Sequence, residues 1–386
     1  MVNNQSKIEK LIDELCPNGV EFRELGEILD YEQPSKYIVK STEYSDEYST
    51  PVLTAGQSFI LGYTDEMEGV YKASNENAVI IFDDFTTSFH WVDFDFKVKS
   101  SAMKMLRPKE GGEIDFRFIY FAMRCIRYKP QDHARQWIAQ YSKFKIPIPP
   151  LPIQQEIVKI LDTFTELEAE LEAELEARKK QYEYYRDELL TFNTSCRDNL
   201  EDKTRQDKTR QDGIIWVTLG EIAMIKHGKD YKKLGEGNIP VYGSGGIMTY
   251  VDTYSYNKPT VLIPRKGTIT NLFYLETPFW NVDTIYYTEI DSKKIFPKYL
   301  YHFMKTVDLE ALDTGSGRPS LTMQILNKLK IPIPSLSEQE KIVKILDKFE
   351  ALTNDISIGL PAELNARRKQ YEYYRNKLLT FKEHAK

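Results

Sequence analysis

Cysteine is scarce: three in 386 residues. Cys16, Cys125 and Cys196 match neither a disulfide framework nor a zinc-site spacing, which points to a reducing, cytoplasmic setting. No apolar run approaches the roughly 18–20 residues of a membrane span, and the opening MVNNQSKIEKLIDEL lacks the apolar core of a signal peptide. The five histidines show no metal-ligand spacing, so no metal is expected on this chain. A glycine-rich phosphate loop ending in Gly-Lys-Ser/Thr is missing. Neither YGSGG (242–246) nor GSGRPS (315–320) has the strand-before, helix-after setting of a dinucleotide fingerprint. Excess positive charge is missing too, since the formal net charge is −6.

What is present describes a foldable chain with room for two domains: 41% hydrophobic and 12% aromatic residues, 25 of them Tyr. The net charge averages unlike parts. Residues 21–145 hold 16 Lys+Arg against 20 Asp+Glu, whereas residues 214–330 hold 14 against 11. Binding to phosphates depends on where cations cluster, so the total leaves nucleic acid open.

The dominant feature is a repeat. LEARKKQYEYYRDELLTF (175–192) returns as LNARRKQYEYYRNKLLTF (364–381), identical at 14 of 18 positions. Upstream, KIPIPPLPIQQEIVKILDTF (145–164) returns as KIPIPSLSEQEKIVKILDKF (330–349). The offset is 185 upstream and 189 downstream, so the second copy carries four extra residues. A duplication of this period sets the architecture. In the first copy Leu161, Phe164, Leu167, Leu171, Leu175, Tyr182, Tyr185 and Leu189 follow 3/4 spacing, predicting a helix from about 152 to 192, roughly 60 Å long. Leu346, Phe349, Leu352, Tyr371, Tyr374 and Leu378 form the matching stripe over about 338–381, with a kink expected at Gly359 and Pro361. One apolar stripe needs another, so the two rods are expected to pair as an antiparallel coiled coil.

The fold class expected is α+β: two mixed α/β domains joined by a long two-helix coiled coil with an internal pseudo-twofold repeat. The expected boundaries are an N-terminal helix (1–20), a first domain (21–150), a first spacer helix (151–193), a charged linker (194–213), a second domain (214–334) and a second spacer helix (335–386). In the first domain AVIIF (78–82) reads as a strand, 115–128 as a helix, and the proline-rich 145–150 as an extended strap. The second domain echoes it: LGEI (25–28 and 219–222), AVIIF as TVLIP (260–264), and FIYFAM as YLYHFM (299–304). DKTRQDKTRQD (202–212) is polar without apolar period and reads as a solvated linker.

KIPIPSLSEQEKIVKIL and ARRKQYEYYRNKLLTF resemble the conserved helical regions of type I restriction-modification specificity subunits. IWVTLGEIAMIKHGK, IPVYGSGG, VLIPRKGTI and FWNVDTIYY are similar to segments of that family's target recognition domains. The likeness spans essentially the whole chain, in the family's order. It implies a bacterial, cytoplasmic, non-catalytic subunit that reads an asymmetric bipartite site in double-stranded DNA. The helices then set the gap, and the frame docks methyltransferase subunits, expected as two copies, and restriction subunits. No cofactor is expected on this chain; S-adenosylmethionine, ATP and Mg would belong to the partners.

Candidate DNA contacts fall on polar loops. In the second domain these are Tyr242, Gly243, Ser244 and Gly245, then Arg265, Lys266 and Thr268, then Arg318 and Ser320. Arg can take guanine bidentately and Lys a phosphate. In the first domain the matching positions are Thr54 and Gln57, then Thr86, Thr87, Ser88 and His90, then Arg135 and Gln136, with Asp83-Asp84 where the second has its Arg-Lys pair. Two other readings stay open. One is a self-contained enzyme: a fused methyltransferase, or a nuclease using Asp84, Asp95 and Lys97 around Mg²⁺. The methyltransferase reading is weakened because the only Pro-Pro, Pro149-Pro150, lacks the Asn/Asp-Pro-Pro-aromatic tetrad. The other is a coiled-coil scaffold without DNA contact. Within the first rod, LEAELEAELEA (167–177) repeats every four residues. Each unit is about 6 Å of helix, so the rod is expected to act as a ruler for the gap.

Overall fold

A computed structural model describes residues 6–56, 58–111, 113–131, 134–192, 214–313, 319–355 and 357–384. The expected linker 194–213, Gln57 and Arg318 lie outside the described residues.

Helix α1 (Lys7–Leu15) starts at a capping box in which Ser6 and Glu9 serve each other's backbone amides, and it stops before Pro17. Strands β1 (Glu21–Glu24), β2 (Leu29–Glu32), β3 (Thr50–Leu53), β4 (Ile60–Thr64), β5 (Val79–Asp83), β6 (Phe89–Val92), β7 (Lys97–Val98), β8 (Met103–Pro108) and β9 (Lys145–Ile148) follow, interrupted by helices α2 (Leu25–Ile28), α3 (Phe116–Met123) and α4 (Gln136–Ala139). Helix α5 runs unbroken over Leu151–Leu190, 40 residues and about 60 Å.

The second half repeats the series. Its strands are β10 (Ile215–Thr218), β11 (Ala223–Lys226), β12 (Ile239–Gly243), β13 (Gly246–Val251), β14 (Thr260–Pro264), β15 (Phe273–Leu275), β16 (Trp280–Asn281), β17 (Ile285–Ile290) and β18 (Lys330–Ile333). Its helices are α6 (Leu219–Ile222), α7 (Pro297–Met304), α8 (Met323–Leu326), α9 (Leu336–Asn354) and α10 (Leu360–Leu378).

The sheet orders match strand for strand. The first half has a four-stranded sheet β2-β8-β5-β6 and a three-stranded sheet β4-β3-β7; the second has β11-β17-β14-β15 and β13-β12-β16. Pairing is antiparallel except β3 with β7 and β12 with β16. Even the irregularities correspond, with a register shift at Val52/Leu53 and another at Val241/Tyr242. The proline-rich strap is itself a strand. β9 pairs antiparallel with β1, and Pro147 is tolerated because the sheet has only two strands. The helix expected over 115–128 ends earlier: after α3 the Cys125 and Ile126 amides donate to the carbonyls three residues back, closing tight turns.

The chain divides into two compact units, residues 1–170 with 364–386, and residues 171–363. Each therefore combines the start of one helical copy with the end of the other. In the first unit, Phe164 of α5 meets Tyr371 and Tyr374 of α10, with ring centroids 6.2 and 5.7 Å apart. In the second, Tyr185 of α5 stacks on Phe349 of α9 at 5.6 Å. A buried glutamine locks the first turn of each copy. Gln154 accepts from the Asp115 amide and donates to Pro149; Gln339 accepts from Phe296 and donates to Pro334. Along the stripes Leu161, Tyr182, Leu346 and Tyr371 are buried. Phe164, Leu171, Leu175, Leu189, Phe349 and Leu378 are half-buried, and Leu167, Tyr185, Leu352 and Tyr374 are more exposed still.

The second copy is broken rather than kinked. After α9, the Asp355 carboxylate accepts from the Ser357 and Ile358 amides. Gly359 presses so closely on α9 that a Cβ there would lie 2.5 Å from the Ala351 carbonyl oxygen. Pro361 then falls in the first turn of α10, where its missing N–H costs nothing. In the first unit the end of the chain closes back on its start: the Val20 amide donates to Lys382 and the His384 amide to Val20.

Candidate nucleic-acid interface

In the first unit three loops that are distant in sequence meet beside the ends of β3 and β5. The Ser88 hydroxyl donates to the Ala55 carbonyl at 2.6 Å and shares a hydrogen bond with Thr86 Oγ1 at 2.7 Å. His90 Nε2 lies 3.0 Å from the Gly56 carbonyl, so Nε2 carries the proton, and the ring stacks on Phe59. Thr54 closes its own loop by donating to the Ser58 carbonyl. Thr87 sits at φ +60°, a left-handed conformation uncommon outside glycine, which turns the chain between β5 and β6.

The third loop is tied in through Asp84. Its carboxylate accepts from the Trp137 amide at 2.8 Å, its carbonyl accepts from the Gln136 amide, and Lys104 lies 3.5 Å away, with both charged side chains buried. The Gln136 side chain accepts from the Tyr128 hydroxyl and donates to Ala134. Arg135 is exposed beside it.

The second unit builds the same corner from other residues. The hairpin Gly243–Gly246 is held by the Ser244 amide donating to Thr284 Oγ1 at 3.3 Å and by Asn271 Nδ2 donating to the Ser244 carbonyl at 3.1 Å. Gly246 has φ +110°, and a Cβ on Gly243 would lie 2.7 Å from Met248 Sδ. Tyr242 packs on Phe273, and burial raises its hydroxyl pKa. The Leu321 amide donates to the Arg265 carbonyl at 2.9 Å, the counterpart of the Gln136-to-Asp84 bond, and Lys266 bridges Ser320. Arg265 leans on Asp283, whereas Lys266 and Thr268 are exposed, Lys266 without an ion pair among the described residues. Backbone equivalence thus places Asp84 where Arg265 stands. One side chain turns inward to a buried lysine; the other turns out.

Periodicity gave no signal for Asn271 and Thr284. Both are single polar residues whose partners come from distant segments.

The nuclease grouping does not assemble. Asp84 is held by Lys104, Asp95 pairs with Lys72 at 2.6 Å, and the buried Lys97 pairs with Glu66 at 2.7 Å while donating to the Glu68 carbonyl. Each charge is neutralised by its own partner, so nothing is left to hold Mg²⁺ jointly. In the second unit, ligand atoms of His302, Asp347 and Glu350 lie within 4.8 Å of one another. There Lys298 already binds Asp347 at 2.8 Å, and Lys305 and the Tyr301 hydroxyl bind Glu350. This is a half-buried ion-pair network around the buried His302 that fixes α7 to α9. Burial holds the His302 pKa below its ordinary value, against the opposing hydrogen bond to Asp347 at 2.9 Å.

The chain matches the sequence model of the type I restriction modification DNA specificity domain twice, over residues 17–177 and 215–366. It is 40% identical to the type I restriction enzyme EcoR124I/EcoR124II specificity subunit of Escherichia coli, over 98% of each chain. A putative type I restriction enzyme specificity subunit of Haemophilus influenzae is 33% identical, over 99% of this chain and all of that one. Among solved structures, the type I restriction-modification S subunit from M. genitalium covers 94% of this chain and 96% of its own, with a TM-score of 0.59 at 19% identity.

Proposed function

The chain belongs to the type I restriction-modification DNA specificity family, and from that premise we propose that its two units read the two unequal halves of one bipartite duplex site. The observation that carries this is the pair of equivalent loop corners. They share strand order, bulge position and backbone bonds, yet differ in nearly every side chain offered. A shared frame with divergent loops is what two different base readings need. The apolar faces of the repeated helices are the docking frame for two methyltransferase subunits and for restriction subunits. These partners carry S-adenosylmethionine, ATP and Mg, and the assembly works in the cytoplasm. The chain itself carries out no bond-breaking step.

Exchange of residues 21–144 for the corresponding segment of another family member tests the two-reader layout. The expected outcome is a methylation target altered in one half only; alteration of both halves contradicts it. Cleavage or methyl transfer by the purified chain alone, given Mg²⁺ or S-adenosylmethionine, would contradict the non-catalytic role.

A further inference from the structure

The first unit poses an electrostatic problem. It has Asp84 at the backbone position where the second unit has Arg265, with Asp83 just before it, and residues 21–145 carry more acid than base. Cations for a duplex backbone have to come from elsewhere.

A groove of about 260 Å³ lies directly against the loop corner, lined by Thr87, Ser88 and Phe89 on one side and by Arg124, Tyr128 and Arg375 on the other. Arg124 follows the last turn of α3. Arg375 comes from α10, 251 residues further along the chain, and belongs to the repeated QYEYYR motif. Neither guanidinium forms an ion pair among the described residues. Arg124 lies over the Tyr120 ring and donates to its hydroxyl at 3.3 Å. Arg375 lies 5.3 Å over Tyr371, interacts with the Tyr371 hydroxyl and the Cys125 thiol, makes a long contact with Asn376, and has a buried Nε without a hydrogen-bond partner. Glu168, whose field reaches Arg124, is bound by Arg368 at 2.6 Å.

The second unit has the same groove, of about 400 Å³, lined by Thr270, Asn271, Leu272, Lys305 and Arg186. Arg186 is the repeat counterpart of Arg375, and Lys305 that of Arg124. There the cations are spent: Lys305 pairs with Glu350 at 2.7 Å and Arg186 with Asp187 at 2.8 Å. The two grooves share a shape and differ in charge. An unneutralised pair of guanidinium groups beside a hydroxyl-bearing turn is suited to one doubly contacted phosphate.

We propose that Arg124 and Arg375 hold a backbone phosphate of the duplex in the first unit's groove, so that the second helical repeat supplies a DNA contact to the first reader. This rests on the DNA-reading function proposed above. Phosphate contacts position the protein and carry no sequence information, so the two arginines set affinity without choosing bases.

The test is the salt dependence of duplex binding by the full chain, assembled with its methyltransferase partner, for R124Q, R375Q and the double variant. Each is compared on the target duplex and on one with a scrambled half-site. The slope of log K against log salt concentration is expected to shrink by less than about 0.9 for each single variant, in which the other arginine still meets the phosphate, and by about 0.9 for the double variant, because both arginines serve one phosphate. Affinity for both duplexes is expected to fall by the same factor. R124K with R375K keeps the charge and is expected to retain most of the slope, which separates a charge effect from misfolding. An unchanged slope with intact target preference overturns this proposal alone. A complex that never prefers the target overturns the DNA-reading function and this proposal with it. Loss of methyltransferase binding with an unchanged DNA slope would assign the groove to a protein partner and overturn it as well.

Discussion

At the residue scale, Asp84 shows what the sequence concealed. The Asp83-Asp84 pair invites a metal, but Asp84 is buried against Lys104 and organises two backbone amides at the start of α4. Removing its carboxylate strands a buried ammonium, a change that costs about 3–5 kcal/mol. Asp84→Ala is therefore expected to lower the urea midpoint of the purified chain by that equivalent, and a loss below about 1 kcal/mol would contradict the account. His302 makes a second case. It occupies the position of Phe121 in the other half, and it faces Asp347, Tyr182, Lys298, Lys305 and Glu350. Its pKa is depressed by burial in the folded chain, so the unfolded chain binds the proton more readily. Its contribution favours folding above the unfolded pKa of about 6.5 and is lost as pH falls from there toward the lower folded value. His302→Phe, the solution the first unit already uses, is expected to flatten the dependence of the melting temperature on pH between about 7 and 5. An unaltered slope would show that His302 does not titrate in unfolding.

The elements were the most legible level. The 3/4 spacing predicted the long helix to within two residues at each end, because an amphipathic stripe of that length has few other readings. AVIIF and TVLIP became the central strands β5 and β14 for a similar reason: short apolar runs between turn residues. What periodicity could not reach was pairing. The strap became a strand only through its ladder with β1, and the kink became a break because the Asp355 turn and the Gly359 approach require tertiary contact. None of the stripe residues in 167–177, Leu167, Leu171 and Leu175, is fully buried, which fits a segment retained for its length. One further LEAE unit there adds about 6 Å of helix, at most roughly two base pairs at about 3.4 Å each. The expected outcome is a target with a longer gap and unchanged half-sites. Sequencing the methylated sites of cells carrying the insertion checks it, and an unchanged gap contradicts the ruler.

At the scale of the whole molecule, the duplication was visible in sequence, but the way it is used was not. Each unit is completed by the far copy of the helical repeat: Phe164 meets Tyr371 and Tyr374, Tyr185 meets Phe349, and the last residues pair with Val20. The candidate contact loops could be located one at a time, because glycine and hydroxyl residues mark turns. Their convergence could not, since it depends on hydrogen bonds between segments 27 or more residues apart, such as Ser88 with Ala55 and Asn271 with Ser244. The central claim is that two divergent loop corners on one repeated frame read one asymmetric, interrupted site. Base-by-base mapping of genomic methylation, in cells with and without this chain, tests it most directly. The account predicts a single motif of two unequal halves separated by a fixed gap, present only with the chain. A palindromic or uninterrupted motif, or one that persists without the chain, would contradict it.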